Sequence, residues 1–199
     1  MSSLTPELVK DFYRDGLNSY EARVRSKGDD EMMKAVAAFL ELIKVQDKEM
    51  FLHMFTTTIF DTIYTPYQVG VDGSKGYGLW DQITTLVHEL VHVTQHDADR
   101  LGFWMKYLAN KSDRTHFEAQ AYGADLEMHY WRYGKPYDLR EVAGYLEHYG
   151  LEQEHIDFCY VELVTIDDII QNTDAAVNPV ATWAMDWLEQ RAPDLRYTA

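Results

Sequence analysis

The stretch "TTLVHELVHVTQH", Thr84 to His96, constrains this chain more than any other. Ile83, Leu86, Val87, Leu90, Val91 and Thr94 recur at helical spacing and form a near-continuous apolar stripe, the mark of a helix lying on a core. His88, Glu89, His92 and His96 stand on the same helix. Two uses of them are compatible with the stripe: the solvated back of the helix, or a site for a metal ion.

Four residues apart on a helix, His88 and His92 lie about 40° apart around the axis and one turn apart along it. Their imidazoles can therefore converge on one ion. Glu89 is one residue further round and is free to act on a water instead. Zinc brings the pKa of such a water toward neutrality, and a carboxylate can take its proton and later hand it to a leaving amine. H-E-x-x-H thus supplies two ligands and a general base from one turn.

Catalytic zinc usually takes a third protein ligand. His96 is about 12 Å along the axis from His88, too far for all three imidazoles to meet at one ion on a straight helix. The metzincin pattern is also excluded, because Gln95 and Ala98 stand where it needs Gly and His. Glu118, in "HFEAQAYGAD", is the better candidate, sharing a helix face with Tyr122, Asp125 and His129.

"HELVH" followed by Glu118 in an "EAQAY" helix resembles the zincin-like, thermolysin-type arrangement of the gluzincin metallopeptidases. The resemblance covers roughly residues 56–133. It implies one zinc ion per chain held by His88, His92 and Glu118, with Glu89 as general base. It also implies that a strand within 56–67 aligns an extended peptide substrate. This chain departs from the pattern at Tyr122, where thermolysin-like enzymes carry Asp four residues after the Glu ligand. Asp125 is then the candidate to orient His88 or His92. A peptidase also needs a donor for the tetrahedral oxyanion. Tyr107, Tyr122 and His129 qualify by chemistry, whereas His116 points to a different face from Glu118 and reads as a surface residue.

The same letters admit a rival. Glu89–His92 and Glu152–His155 are two E-x-x-H pairs, and with Glu41 or Glu49 upstream and Glu118 between them they follow the order of ferritin-like di-iron carboxylate bundles. That reading leaves His88 without a task, and it puts Glu152 just after Gly150, where a helix should end. A third possibility is a zincin-like module that binds without catalysing.

Elsewhere the sequence predicts mostly helix. "LTPELVKDFYRDGLNSYEARVR" opens with Thr5 as cap and Pro6 at the first helical position, and "DDEMMKAVAAFLELIKVQDKEMFLHMF" reads as a second helix. "TTTIFDTIYTPY" (56–67) reads as one or two short strands. The glycine-rich "VGVDGSKGYG" that follows lacks the Gly-Lys-Ser/Thr of a phosphate loop and reads as a turn between strand and helix. "LGFWMKYLANK" is ambiguous. Phe117, Ala121, Ala124, Met128 and Trp131 define one apolar stripe of a further helix. "DLREVAGYLEHYG" pairs Asp138 with Glu141 at a helix start and stops at Gly150, 152–172 is helical, and "NPVATWAMDWLEQ" begins with Asn178 as cap and Pro179 in the first turn.

The expected whole is a single α+β, mostly helical, zincin-like domain over 1–199. Its metal-site core is about 56–133, with helical flanks 1–55 and 134–199. A net charge of −15 repels phosphate backbones and anionic lipid, so neither nucleic acid nor membrane is an expected partner; a peptide or protein is. With no signal peptide and no apolar run of membrane length, the expected location is cytoplasmic. Cys159, the lone cysteine, is expected to be a small buried hydrophobe.

Overall fold

The side chain of Thr5 accepts a hydrogen bond from the Leu8 amide at 3.1 Å and starts helix α1 (Pro6–Ser19). The computed structural model describes residues 4–28, 30–42, 51–53, 55–100, 102–173 and 176–198. It is a mostly helical α+β fold with a three-stranded sheet.

The first correction to the sequence reading follows α1. The helix does not continue through Arg25. Glu21 turns the chain with φ 50°, and Arg23–Ser26 form strand β1. Just beyond it, Lys27 is fully buried. Its ammonium donates to Phe55 O at 2.9 Å and Thr57 Oγ1 at 2.6 Å and stands 3.5 Å from the centre of the Phe51 ring. Burial brings the Lys27 pKa down to about 7.

Helix α2 spans Glu31–Leu42, and residues 51–53 are helical; the part of the expected second helix between them lies outside the described residues. The Thr- and Ile-rich stretch forms two strands, β2 (Thr57–Ile59) and β3 (Thr62–Thr65), paired antiparallel with Thr58 opposite Ile63. Phe60 makes the turn at φ 56°. Strand β1 pairs parallel to β3, from Arg23 opposite Thr62 to Ser26 opposite Thr65. The order is β1-β3-β2, so β3 is central and β2 is an edge.

The glycine-rich segment links β3 to the motif helix α3 (Leu79–Ala98). Buried Gln82 clamps it, accepting from Gly70 N and donating to Val71 O, both at 2.8 Å. Gly70 has φ 76°, and a Cβ there would stand 2.9 Å from the Pro6 carbonyl, so glycine is required on both counts.

The ambiguous stretch is helical, α4 (Gly102–Ala109). Asn110 caps α5 (Lys111–Tyr133) through the amides of Ser112 and Asp113, and left-handed Gly134 ends it. Helix α6 (Leu139–Gly144) begins where the Asp138 side chain accepts from the Arg140 and Glu141 amides, and passes into a 3-10 turn that left-handed Gly150 ends. Helix α7 spans Gln153–Thr173, and Asn178 caps α8 (Pro179–Arg191).

The main core wraps the apolar side of α3. Leu86 and Leu90 pack with Phe12 of α1, with Ala121, Ala124 and Met128 of α5, and with Ala184 and Leu188 of α8, all fully buried. Each Leu so placed contributes roughly 1.5–3 kcal/mol from burial. The chain ends are tied together over this core, the Trp187 indole donating to Asp15 Oδ2 at 3.0 Å. A second cluster joins α5, α6 and α7 and includes buried Cys159. Burial pushes its thiol up to about 12, so it stays protonated. Among the described residues no helix is long and apolar enough to cross a membrane.

Candidate metal centre

The polar residues of α3 are not its solvated back. His88, Glu89 and His92 are 9%, 5% and 8% exposed. The helix is covered on its apolar side by the core and on its polar side by α5 and β2. Glu118 of α5, 1% exposed, faces both imidazoles. His88 Nε2 lies 3.5 Å from Glu118 Oε2, and His92 Nε2 lies 3.6 Å from Glu118 Oε1. One ligand atom from each of the three residues lies within 4.8 Å of the other two.

The other ring nitrogens are engaged. His88 Nδ1 meets Asp125 Oδ2 at 2.9 Å, which orients His88 rather than His92. His92 Nδ1 meets Gln95 Oε1 at 2.9 Å. The Gln95 amide nitrogen donates to Phe117 O at 3.1 Å and Gln120 Oε1 at 2.9 Å, so its oxygen is the end turned to His92. Each Nδ1 therefore carries the hydrogen in a neutral ring, and each Nε2 presents a lone pair to Glu118. Glu118 Oε2 is buried without any hydrogen bond. With both rings neutral, three acceptors thus converge. Such a group needs a cation, either protons or a metal ion.

Burial opposes a charge on His88, but Asp125 and Glu118 outweigh it and hold its pKa well above the ordinary value. Burial likewise opposes a charge on His92, and Glu118 raises it. Burial alone would raise the pKa of Glu118, yet the two imidazoles hold it far below the usual carboxylate range. The donor set of two imidazoles and one carboxylate, oriented from behind by Asp125 and Gln95, fits zinc.

Glu89 points toward the sheet. Its Oε2 accepts from Thr58 Oγ1 of β2 at 2.7 Å. The Tyr107 hydroxyl of α4 donates to Glu118 Oε1 at 2.5 Å. Burial, and then the Glu118 charge, hold that phenol well above its ordinary pKa, so it remains a donor. A cavity of about 270 Å³ reaches Glu89, His92 and Glu118 between β2, α4 and Tyr149.

Tyr122 packs its ring 5.1 Å from that of His88. His129 is not brought to the cluster. It lies one turn beyond Asp125 and packs on Tyr133 and Tyr137, with ring centres 4.6 and 5.4 Å away. His116 is exposed and meets Glu162 at 2.9 Å. His96 is buried against Phe60 and Phe103. In the second E-x-x-H, Glu152 is exposed and bonded to Lys111, and it is not part of a converging metal-type group among the described residues. The side chain of Glu41 and all of Glu49 lie outside the described residues.

Sequence reasoning passed over Thr58 and Gln95. Gln95 offered a signal, being three residues after His92 and so on the same helix face. Thr58 offered none, because only the packing of β2 on α3 brings it to Glu89. No protein-family model, curated protein or solved structure matches this chain.

Proposed function

We propose that the chain is a zinc-dependent metallopeptidase of zincin-like type, with His88, His92 and Glu118 as ligands and Glu89 as general base. The observation that carries the reading is the buried convergence of two imidazoles and a carboxylate beside a fourth group, the Glu89 carboxylate. When bound, zinc would acidify a water molecule and polarise a substrate carbonyl.

The chain's own groups have the remaining work. Glu89, fixed by Thr58, takes a proton from water and returns it to the leaving amine. Asp125 and Gln95 hold the imidazoles so that Nε2 is the ligand atom. Tyr107 is the oxyanion donor best supported by position, since its hydroxyl already lies against Glu118 and its ring lines the cavity. Edge strand β2, whose residues line the same cavity, would take an extended peptide along its backbone.

Metal content per chain, measured by mass spectrometry on untagged protein, tests this. About one zinc in the wild type, lost in His88→Ala and in Glu118→Ala, is the expected result. Two irons that survive His88→Ala would instead support the di-iron reading. Absence of metal after zinc is offered back would end the metal reading altogether.

A further inference from the structure

Gln120, Gly123 and Glu127 recur on α5 at i, i+3 and i+7, so they share one face of that helix. With α3, α7 and the segment 177–180 at the start of α8, this face encloses a cavity of about 370 Å³. Its described lining shares no residue with that of the cavity at the metal cluster. The volume falls within the roughly 300–1,000 Å³ of small-molecule sites.

Glu127 is the one charged side chain in that described lining, and it is 3% exposed. Its Oε2 accepts from the Val177 amide at 2.8 Å and its Oε1 from the Asn178 amide at 2.7 Å. A carboxylate offers about four lone-pair sites, so each oxygen keeps one free. Among the described residues those two amides are its only bonded partners, and no Lys, Arg or His stands in the lining. A carboxylate so deeply buried without a counter-ion favours a cation beside it. The other polar side chains of the wall are committed elsewhere. Gln95 bonds to His92, Phe117 O and Gln120, Thr94 donates to Val91 O, and Asn178 Oδ1 caps α8.

Much of the remaining wall is apolar and graded in depth. It runs from Val91 and Val180, 3% and 2% exposed, to Val177, 45% exposed, which places the opening beside Val177. A chain of net charge −15 draws cations toward such an opening and repels anions.

We propose that this cavity is a binding site for a small organic amine, with its ammonium group donating to the free lone pairs of Glu127 and its apolar body against Val91, Ile166 and Val180. Gln95 belongs to the same wall and its oxygen meets His92, so an occupant lies one side chain from the metal cluster.

Isothermal titration calorimetry on the full chain at pH 8 tests this, because burial raises the Glu127 pKa to about 7 and the group is ionised there. The probes are phenethylammonium, its neutral counterpart phenethyl alcohol, and the anion hydrocinnamate. Phenethylammonium should bind at least about 10-fold more tightly than the alcohol, as expected for a hydrogen bond between charged groups, and hydrocinnamate should not bind. Glu127→Gln should abolish the preference for the amine. Val177→Lys places a tethered ammonium at the exposed opening and should abolish it too, whereas the uncharged Val177→Met should keep it. Should Glu127→Gln fail to fold, the two Val177 variants decide. Equal affinity for amine and alcohol, or a preference that survives Val177→Lys, would overturn the proposal. So would the absence of phenethylammonium binding at millimolar concentration.

Discussion

The Thr58 hydroxyl donates to Glu89 Oε2 across 2.7 Å, so an edge strand of the sheet fixes a carboxylate of the motif helix. The same strand is fastened upstream, where buried Lys27 donates to Phe55 O and Thr57 Oγ1. A side chain at the end of β1 therefore sets where β2 lies, and β2 sets where Glu89 points.

Thr58→Val keeps the β-branched shape and deletes only the hydroxyl. A hydrogen bond to a charged group is worth about 1.5–3 kcal/mol. Steady-state kinetics on zinc-loaded protein should show kcat lowered roughly 10- to 100-fold with zinc content unchanged. An unaltered kcat would mean that Glu89 needs no fixing by the strand.

Glu89→Gln preserves shape and an acceptor for Thr58 but cannot take a proton. Zinc content should match the wild type while peptide hydrolysis falls by at least about 10²-fold, the usual share of general-base catalysis. Activity retained in the purified variant would sink the mechanism.

Asp125→Ala removes the acceptor behind His88, and Gln95→Leu removes the one behind His92. Each should weaken zinc binding about 10- to 100-fold, measured by competition with a chelator. Equal affinity in both variants would show that packing alone orients the rings.

Glu127, 3% exposed, accepts from the Val177 and Asn178 amides at 2.8 and 2.7 Å. Burial raises its pKa from 4.5 to about 7 against the pull of those two N–H groups. Between about 4.5 and about 7 the folded state holds a proton that the unfolded chain has released. The stabilisation is therefore fully present below 4.5 and lost as pH rises through 7, by on the order of 3 kcal/mol. Urea unfolding at pH 5 and pH 8 should show this loss in the wild type and a smaller one in Glu127→Gln. A loss equally large in Glu127→Gln would assign it to other groups.

What the sequence made legible was local. Thr5, Asp138 and Asn178 each announce a helix through their own side chains, and each caps one. His88 and His92 are legible because helix geometry alone brings them together. Strand β1 was not legible: Arg23–Ser26 is largely exposed, and only pairing with β3, far along the chain, makes it extended. Thr58, for the same reason, could not be found from spacing. His129 shows the opposite limit of spacing. It shares the helix face of Glu118, but an eleven-residue separation puts it about 16 Å along the axis, among tyrosines instead.

The bond between Trp187 and Asp15 has a consequence for timing during synthesis. A chain leaving the ribosome N-terminus first has delivered His88, His92 and Glu118 long before Ala184 and Leu188, which complete the apolar cover of α3. Until those late residues arrive, the helix that carries both histidines has an open flank. The apolar flank of the helix that carries both histidines therefore closes only once those late residues are in place.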